Sequence, residues 1–168
     1  TNNYLPDYQR DAAPNIYRRS LYTFWRRTVP PPGMLAFDVP GRDVCSVRRQ
    51  QTNTPLQPLV MLNDPQFVEA SRGLAIRSIR EGGSDLSSRI AWLFRQALGR
   101  TATPREIQLL LELHSEQLEI FRSDSSQADA YLKVGDLRSP ADISAVDLAA
   151  ASILASAIIN LDEAITLR

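Results

Sequence analysis

TPREIQLLLELHSEQLEIFR, residues 103–122, decides the fold class. Thr103 and Glu106 stand at the spacing of a capping box, in which the hydroxyl accepts the third amide and the carboxylate reaches back to the cap. Pro104 falls at the first helical position, where its missing N–H has no helical partner to lose and its fixed φ suits the turn. Behind it Ile107, Leu110, Leu111, His114, Leu118 and Phe121 recur every three or four residues, which places them on one side of a helix running to about Arg122.

The same punctuation extends upstream. Leu86, Ile90, Leu93, Phe94 and Ala97 predict a helix over about 85–98 that stops at Gly99, and the short link to Thr103 makes the two an antiparallel hairpin. Asp64 and Pro65 read as N-cap and first position of another helix to about Arg80, with Phe67, Ala70, Leu74 and Ile79 toward the core and Gly82-Gly83 at its close. Thr54-Pro55-Leu56-Gln57 repeats the capping-box pattern and predicts a short helix to about Leu62, although Pro58 removes one early donor. Downstream, a short helix is expected near 130–134 with Gly135 as its stop, then a final helix from about Asp142 to Leu161. Residues 148–159 are apolar nearly all round, the mark of a helix buried on more than one side. This gives a mainly α chain: a compact bundle of about five to six helices with an irregular N-terminal third, read as one domain across 1–168 in which residues 1–53 pack on a 54–168 bundle.

That first third has its own character. Tyr17, Leu21, Phe24, Trp25 and Thr28 share one helical face, with Arg18, Arg19, Arg26 and Arg27 on the other, so residues 17–28 read as an amphipathic helix, with a strand as the alternative because β-formers are frequent. Pro30, Pro31, Pro32 and Gly33 read as ending whatever precedes them. Residues 34–53 show no sustained period and are expected to be an ordered connection with a short extended piece at 44–47.

Charge excludes some functions. The chain has 19 basic and 19 acidic residues, so no global field draws it to nucleic acid or an anionic membrane. The balance is uneven: residues 1–53 hold eight arginines against four aspartates. No apolar run reaches the roughly 20 residues of a membrane span. The chain begins at Thr1, without a signal peptide, and reads as an excised piece of a longer protein.

Motifs that carry chemistry are sparse. The lone Cys45 has no metal-site spacing and reads as a buried, inert thiol; His114 reads as a packed imidazole on an apolar face. Neither a Gly-x-Ser-x-Gly elbow nor a phosphate-cradling glycine loop occurs, and no Cys-x-x-Cys-His attaches a haem. No metal and no cofactor is therefore expected in this segment. The densest polar group is Arg48 and Arg49 with Asn53, joined one helix later by Asn63 and Asp64. Arginine forks and asparagine amides could line an anion or sugar site, while the same residues serve equally as helix caps; the structural reading is preferred.

The segment RRSLYTFWRRTVPPPGMLAFDVPGRDVCSVRRQQTNTPLQPLVMLNDPQFVEASRGLA (18–75), with FRQALGRTATPREI (94–107) and IINLDEAITLR (158–168), closely resembles a planctomycete-specific domain of unknown function. Members form the C-terminal part of large secreted proteins that also carry a planctomycete-type cytochrome c domain. The resemblance implies an exported, periplasmic or cell-surface parent with haem c elsewhere in it, and it supplies no catalytic residues. Pro58 and the stretch 149–152, which lacks the family's usual tryptophan, depart from the pattern in packing only.

Three functions stay open at this level. The leading one is a non-catalytic interaction or interdomain scaffold module of an exported, haem-associated protein, docking on its other domains through Arg18, Arg19, Trp25, Arg26 and Arg27. A second is part of an enzyme or carbohydrate-handling domain with a concave site at Arg48, Arg49, Asn53, Asn63 and Asp64. A third is a weak, salt-sensitive docking surface for a redox protein partner.

Overall fold

The computed structural model describes residues 11, 14–23, 25, 30–40, 45, 47–48 and 52–165. Among these residues the chain is all-helical, with no strand, and the order is α1 (Pro32–Ala36), α2 (Leu56–Asn63), α3 (Pro65–Glu81), α4 (Leu86–Leu98), α5 (Pro104–Ser123), α6 (Ser125–Leu132), α7 (Ala145–Ile159) and α8 (Asp162–Ile165). Six of the eight have eight residues or more, which agrees with the expected bundle.

α7 is the axis of the molecule. Leu148, Ala149, Ala150, Leu154, Ala155 and Ile158 are buried all the way around it, and α3, α4, α5 and α6 pack against it. Its alanines allow that crowding, because a helix with few large side chains lets its neighbours come close on every side. Buried Ser152 does not orphan its hydroxyl, which donates to the Leu148 carbonyl one turn back at 2.7 Å. Ile90, Leu93 and Phe94 of α4 and Phe121 of α5 fill the gaps between helices. Burial of each such side chain is worth roughly 1.5–3 kcal/mol.

The expected caps at α3 and α5 are present, and Asp85 caps α4 as well. Asp64 accepts from the Gln66 amide at 2.8 Å, Asp85 from the Ser88 amide at 2.8 Å, and Thr103 and Glu106 complete a reciprocal box. Gly99 ends α4 with φ +71°, a left-handed conformation that a side chain resists.

Several expectations are corrected. Residues 17–22 form no continuous helix: two 3-10 turns, Asn15–Tyr17 and Ser20–Tyr22, are separated by extended Arg18 (ψ 152°) and Arg19 (ψ 143°). A short amphipathic segment gains little from helix formation unless a partner covers its apolar face. Here Leu21 and Tyr22 are 77% and 70% exposed. Phe24 and Thr28 lie outside the described residues, as do Val44 and Ser46 of the expected extended piece. Pro32 starts a helix that reaches into the connection expected at 34–53, since Pro31 accepts the Met34 and Leu35 amides and Pro32 needs no partner at the first position.

At α2 the predicted capping box does not form. Gln57, only 3% exposed, turns its amide inward to the Thr52 carbonyl at 2.9 Å instead of reaching back to Thr54. Thr52 is anchored in turn by Asp38, whose carboxylate accepts from its backbone N–H at 2.7 Å and from its hydroxyl. The last turns also differ: α6 lies at Ser125–Leu132, before the expected 130–134, because Asp124 caps it through the Ser126 amide. The final helix begins at Ala145, not Asp142, and a separate turn, α8, follows it.

Candidate functional site

Leu74 and Ile79 of α3 pack against the core as expected, but the predicted face is incomplete. Ala70 is exposed, and the fully covered positions are Val68, Glu69, Ser71, Arg72, Ala75 and Ser78. Small side chains at 71, 75 and 78 let α3 lie close against α7, its most extensive partner. The consequence is that a glutamate (2% exposed) and an arginine (1% exposed), three residues apart, are carried under the loop that joins α6 to α7.

Buried charge is tolerated only when its hydrogen bonds are supplied. Arg72 donates to the Leu132 carbonyl and to the Leu137 carbonyl, each at 2.6 Å. Leu132 is the last residue of α6, so its carbonyl is one of those a helix leaves without an internal donor; the guanidinium serves as that helix's C-terminal cap. The Nε atom of Arg72 is buried without a partner. Glu69 works from the opposite sign: it accepts the backbone N–H groups of Asp136 and Leu137 and the hydroxyl of Tyr17 at 2.5 Å. Burial raises the Glu69 pKa, but these donors and the nearby Arg72 charge outweigh it and hold the carboxyl below its ordinary value. For Arg72, burial lowers the pKa and Glu69 works against that.

Gly135 completes the arrangement. Its φ of +84° turns the loop over Glu69, and a Cβ there would lie 2.9 Å from the Glu69 Cβ and closer still to its carboxylate. Over this brace lies a cleft of about 450 Å³ lined by Pro14, Tyr17, Glu69, Gly73, Leu137 and Arg138 among others. A second depression of about 360 Å³ lies on the other side of the same loop, beside Lys133 and Ala145.

The residues singled out from sequence are placed elsewhere. Asn53 donates to Asp162 of α8 at 2.8 Å, Asn63 donates to the Leu59 carbonyl at 2.8 Å, and Asp64 caps α3. Asn53 and Asp64 flank opposite ends of α2, an eight-residue helix that spans about 12 Å. Arg48 is exposed; Arg49 lies outside the described residues. None of the four described residues, Arg48, Asn53, Asn63 and Asp64, lines either cleft above. Of the docking-face residues, Arg18 and Arg19 are exposed and Trp25 is half-buried, while Arg26 and Arg27 lie outside the described residues. Cys45 is exposed, not buried as expected, because it sits in the connection and not under a helix. His114 is half-buried between α5 and α7; burial lowers its pKa, Arg89 and Arg122 add to that, and Asp147 opposes them. Among the described residues no group of three or more His, Cys, Asp or Glu is placed to hold a metal ion, and no helix is long and apolar enough to cross a membrane.

Sequence reasoning missed Glu69, Arg72 and their loop. A signal was present in the run of small residues Ser71, Ala75 and Ser78, which competes with the larger apolar side chains for the core-facing register.

Fold and site together define an all-helical protein whose buried charges brace a loop. The chain belongs to the family described as protein of unknown function DUF1553, also called PSD1, whose match covers residues 1–114. That span includes the resembling strings at 18–75 and 94–107 and leaves out the terminal one at 158–168. No curated protein and no solved structure matches the chain.

Proposed function

We propose that this chain is a non-catalytic interaction module that packs against other domains of a longer parent protein. The observation that carries the reading is the outer face of α2. Leu56, Leu59 and Leu62, spaced three apart, are 53%, 56% and 48% exposed, and α1, which packs on α2, adds Leu35 at 50%. Leucines aligned on one side of a helix and left in water mark a surface that another protein surface covers. We also propose the basic segment with Arg18, Arg19, Trp25, Arg26 and Arg27 as a separate docking surface; Arg18 and Arg19 are exposed.

The ordinary roles of Asn53, Asn63 and Asp64 in capping and bracing favour this reading over a carbohydrate or anion site at those residues. The parent we propose is exported, periplasmic or at the cell surface, of planctomycete type, with haem c in another domain and none here. Its remaining domains are the partners, and a redox protein is a further one.

The test is association between this chain and the remainder of the natural protein, followed by calorimetry. Leu59→Glu with Leu62→Glu is expected to weaken binding at least about tenfold, equivalent to about 1.4 kcal/mol, while Leu109→Glu on α5 does not. Equal binding by the α2 variant and the unaltered chain overturns the reading.

A further inference from the structure

The helical body and the segment before it are joined by different means. Neither 3-10 turn at Asn15–Tyr17 and Ser20–Tyr22 contributes a buried residue, whereas α3 and α7 are each buried along their length. Among the described residues two polar ties link the segment to α3: the Tyr17 hydroxyl donates to Glu69, and the Gln66 side-chain amide donates to the Ile16 carbonyl at 2.8 Å. Between these two ties, Pro14 and Tyr17 form one wall of the 450 Å³ cleft, and Glu69, Gly73, Leu137 and Arg138 form the other.

We propose that residues 14–23 are a strap, the movable wall of this cleft, which leaves α3 while the helical body stays folded. The chemistry of Glu69 makes the separation clean. When the Tyr17 hydroxyl departs, the carboxylate keeps the N–H groups of Asp136 and Leu137, and Arg72 keeps both carbonyls, so the brace under the α6–α7 loop survives intact. Water entering the opened cleft replaces the lost hydroxyl at Glu69, and Gln66, on the same side of α3, is solvated at the same time. Segments with few buried apolar contacts open at low free energy, independently of the core. This strap is distinct from the α2 docking face and does not depend on it.

Amide hydrogen exchange on the intact chain tests the strap. The reporters are the N–H groups of Tyr17, Arg18, Tyr22 and Thr23, which are bonded inside the two turns, against those of α3 and α7. Tyr17→Phe keeps the ring and removes the donor; it is expected to speed exchange at the four reporters by about five- to tenfold, the effect of one hydrogen bond, and to leave α3 and α7 unchanged. Gln66→Ala should act in the same direction. Exchange of the strap and the helices at one common rate in the unaltered chain, or strap rates unmoved by both variants, overturns the proposal.

Discussion

Arg72 is the residue on which the α6–α7 loop depends. Replacing it with alanine removes the donor from two carbonyls and leaves the Glu69 carboxylate without its nearest positive charge. Breaking a buried charged arrangement by deleting one member costs about 3–5 kcal/mol. We expect Arg72→Ala to lower stability in chemical denaturation by that order, and Arg72→Lys to restore little, since one ammonium cannot reach both carbonyls as a planar fork does. Gly135→Ala is expected to be damaging for an independent reason, because the added methyl meets Glu69 at a left-handed φ. Thermal unfolding of the two single variants and the double checks whether both act on the same brace: strong non-additivity is expected for groups in contact.

Charge also sets a pH dependence at this scale. Hydrogen bonds from Arg100 and from the Thr103 backbone hold the Glu106 carboxyl down at about 2, against an ordinary 4.5. A carboxyl with a depressed pKa in the fold adds stability that is present above its unfolded value and lost as the folded group takes up its proton. Stability should therefore decline as pH falls from about 4.5 toward 2, with Glu69 contributing in the same direction. Glu106→Gln should flatten that decline in acid denaturation curves; an unchanged slope would refute the assignment.

At the scale of elements, two sequences with the same capping pattern behave differently. Thr103 receives the Glu106 amide and caps α5, whereas Thr54 makes no side-chain cap on α2 because Gln57 is pulled inward by the Thr52 carbonyl. Thr103→Ala should cost about 1 kcal/mol, and Thr54→Ala should be close to neutral in the same unfolding measurement. The contrast shows what was legible beforehand. Local signals that complete themselves within four residues, at Asp64, Gly99 and Thr103, placed three helix boundaries correctly. Where a group outside the local pattern competes, as the Thr52 carbonyl does for Gln57 or Glu69 for Tyr17, the capping pattern and the periodicity respectively pointed the wrong way. The site was hidden for the same reason: Glu69 and Arg72 read as solvent-facing charge until α6 and its loop are folded over them.

For the whole molecule, the decisive fact is that the family match ends inside α5, while the helix around which the others pack is α7. Residues 1–114 alone would leave the inner faces of α3 and α4 in water, with Arg72 facing solvent. We expect that fragment to show weak far-ultraviolet helicity and no cooperative melt, and the whole chain to show both. A cooperative transition in the fragment would mean that α3, α4 and the start of α5 form a core without α7.

α8 closes over what precedes it. Asp162 holds Asn53 ahead of α2, and Glu163 holds Arg100 at the turn between α4 and α5, at 2.8 Å and 2.6 Å. A nascent polypeptide leaves the ribosome from its amino end, so α3, α4 and α5 emerge before the helix they surround has been synthesised. Until translation passes residue 159 the growing chain lacks the helix that covers its inner faces, and α8 then ties the assembled bundle to Asn53 and Arg100.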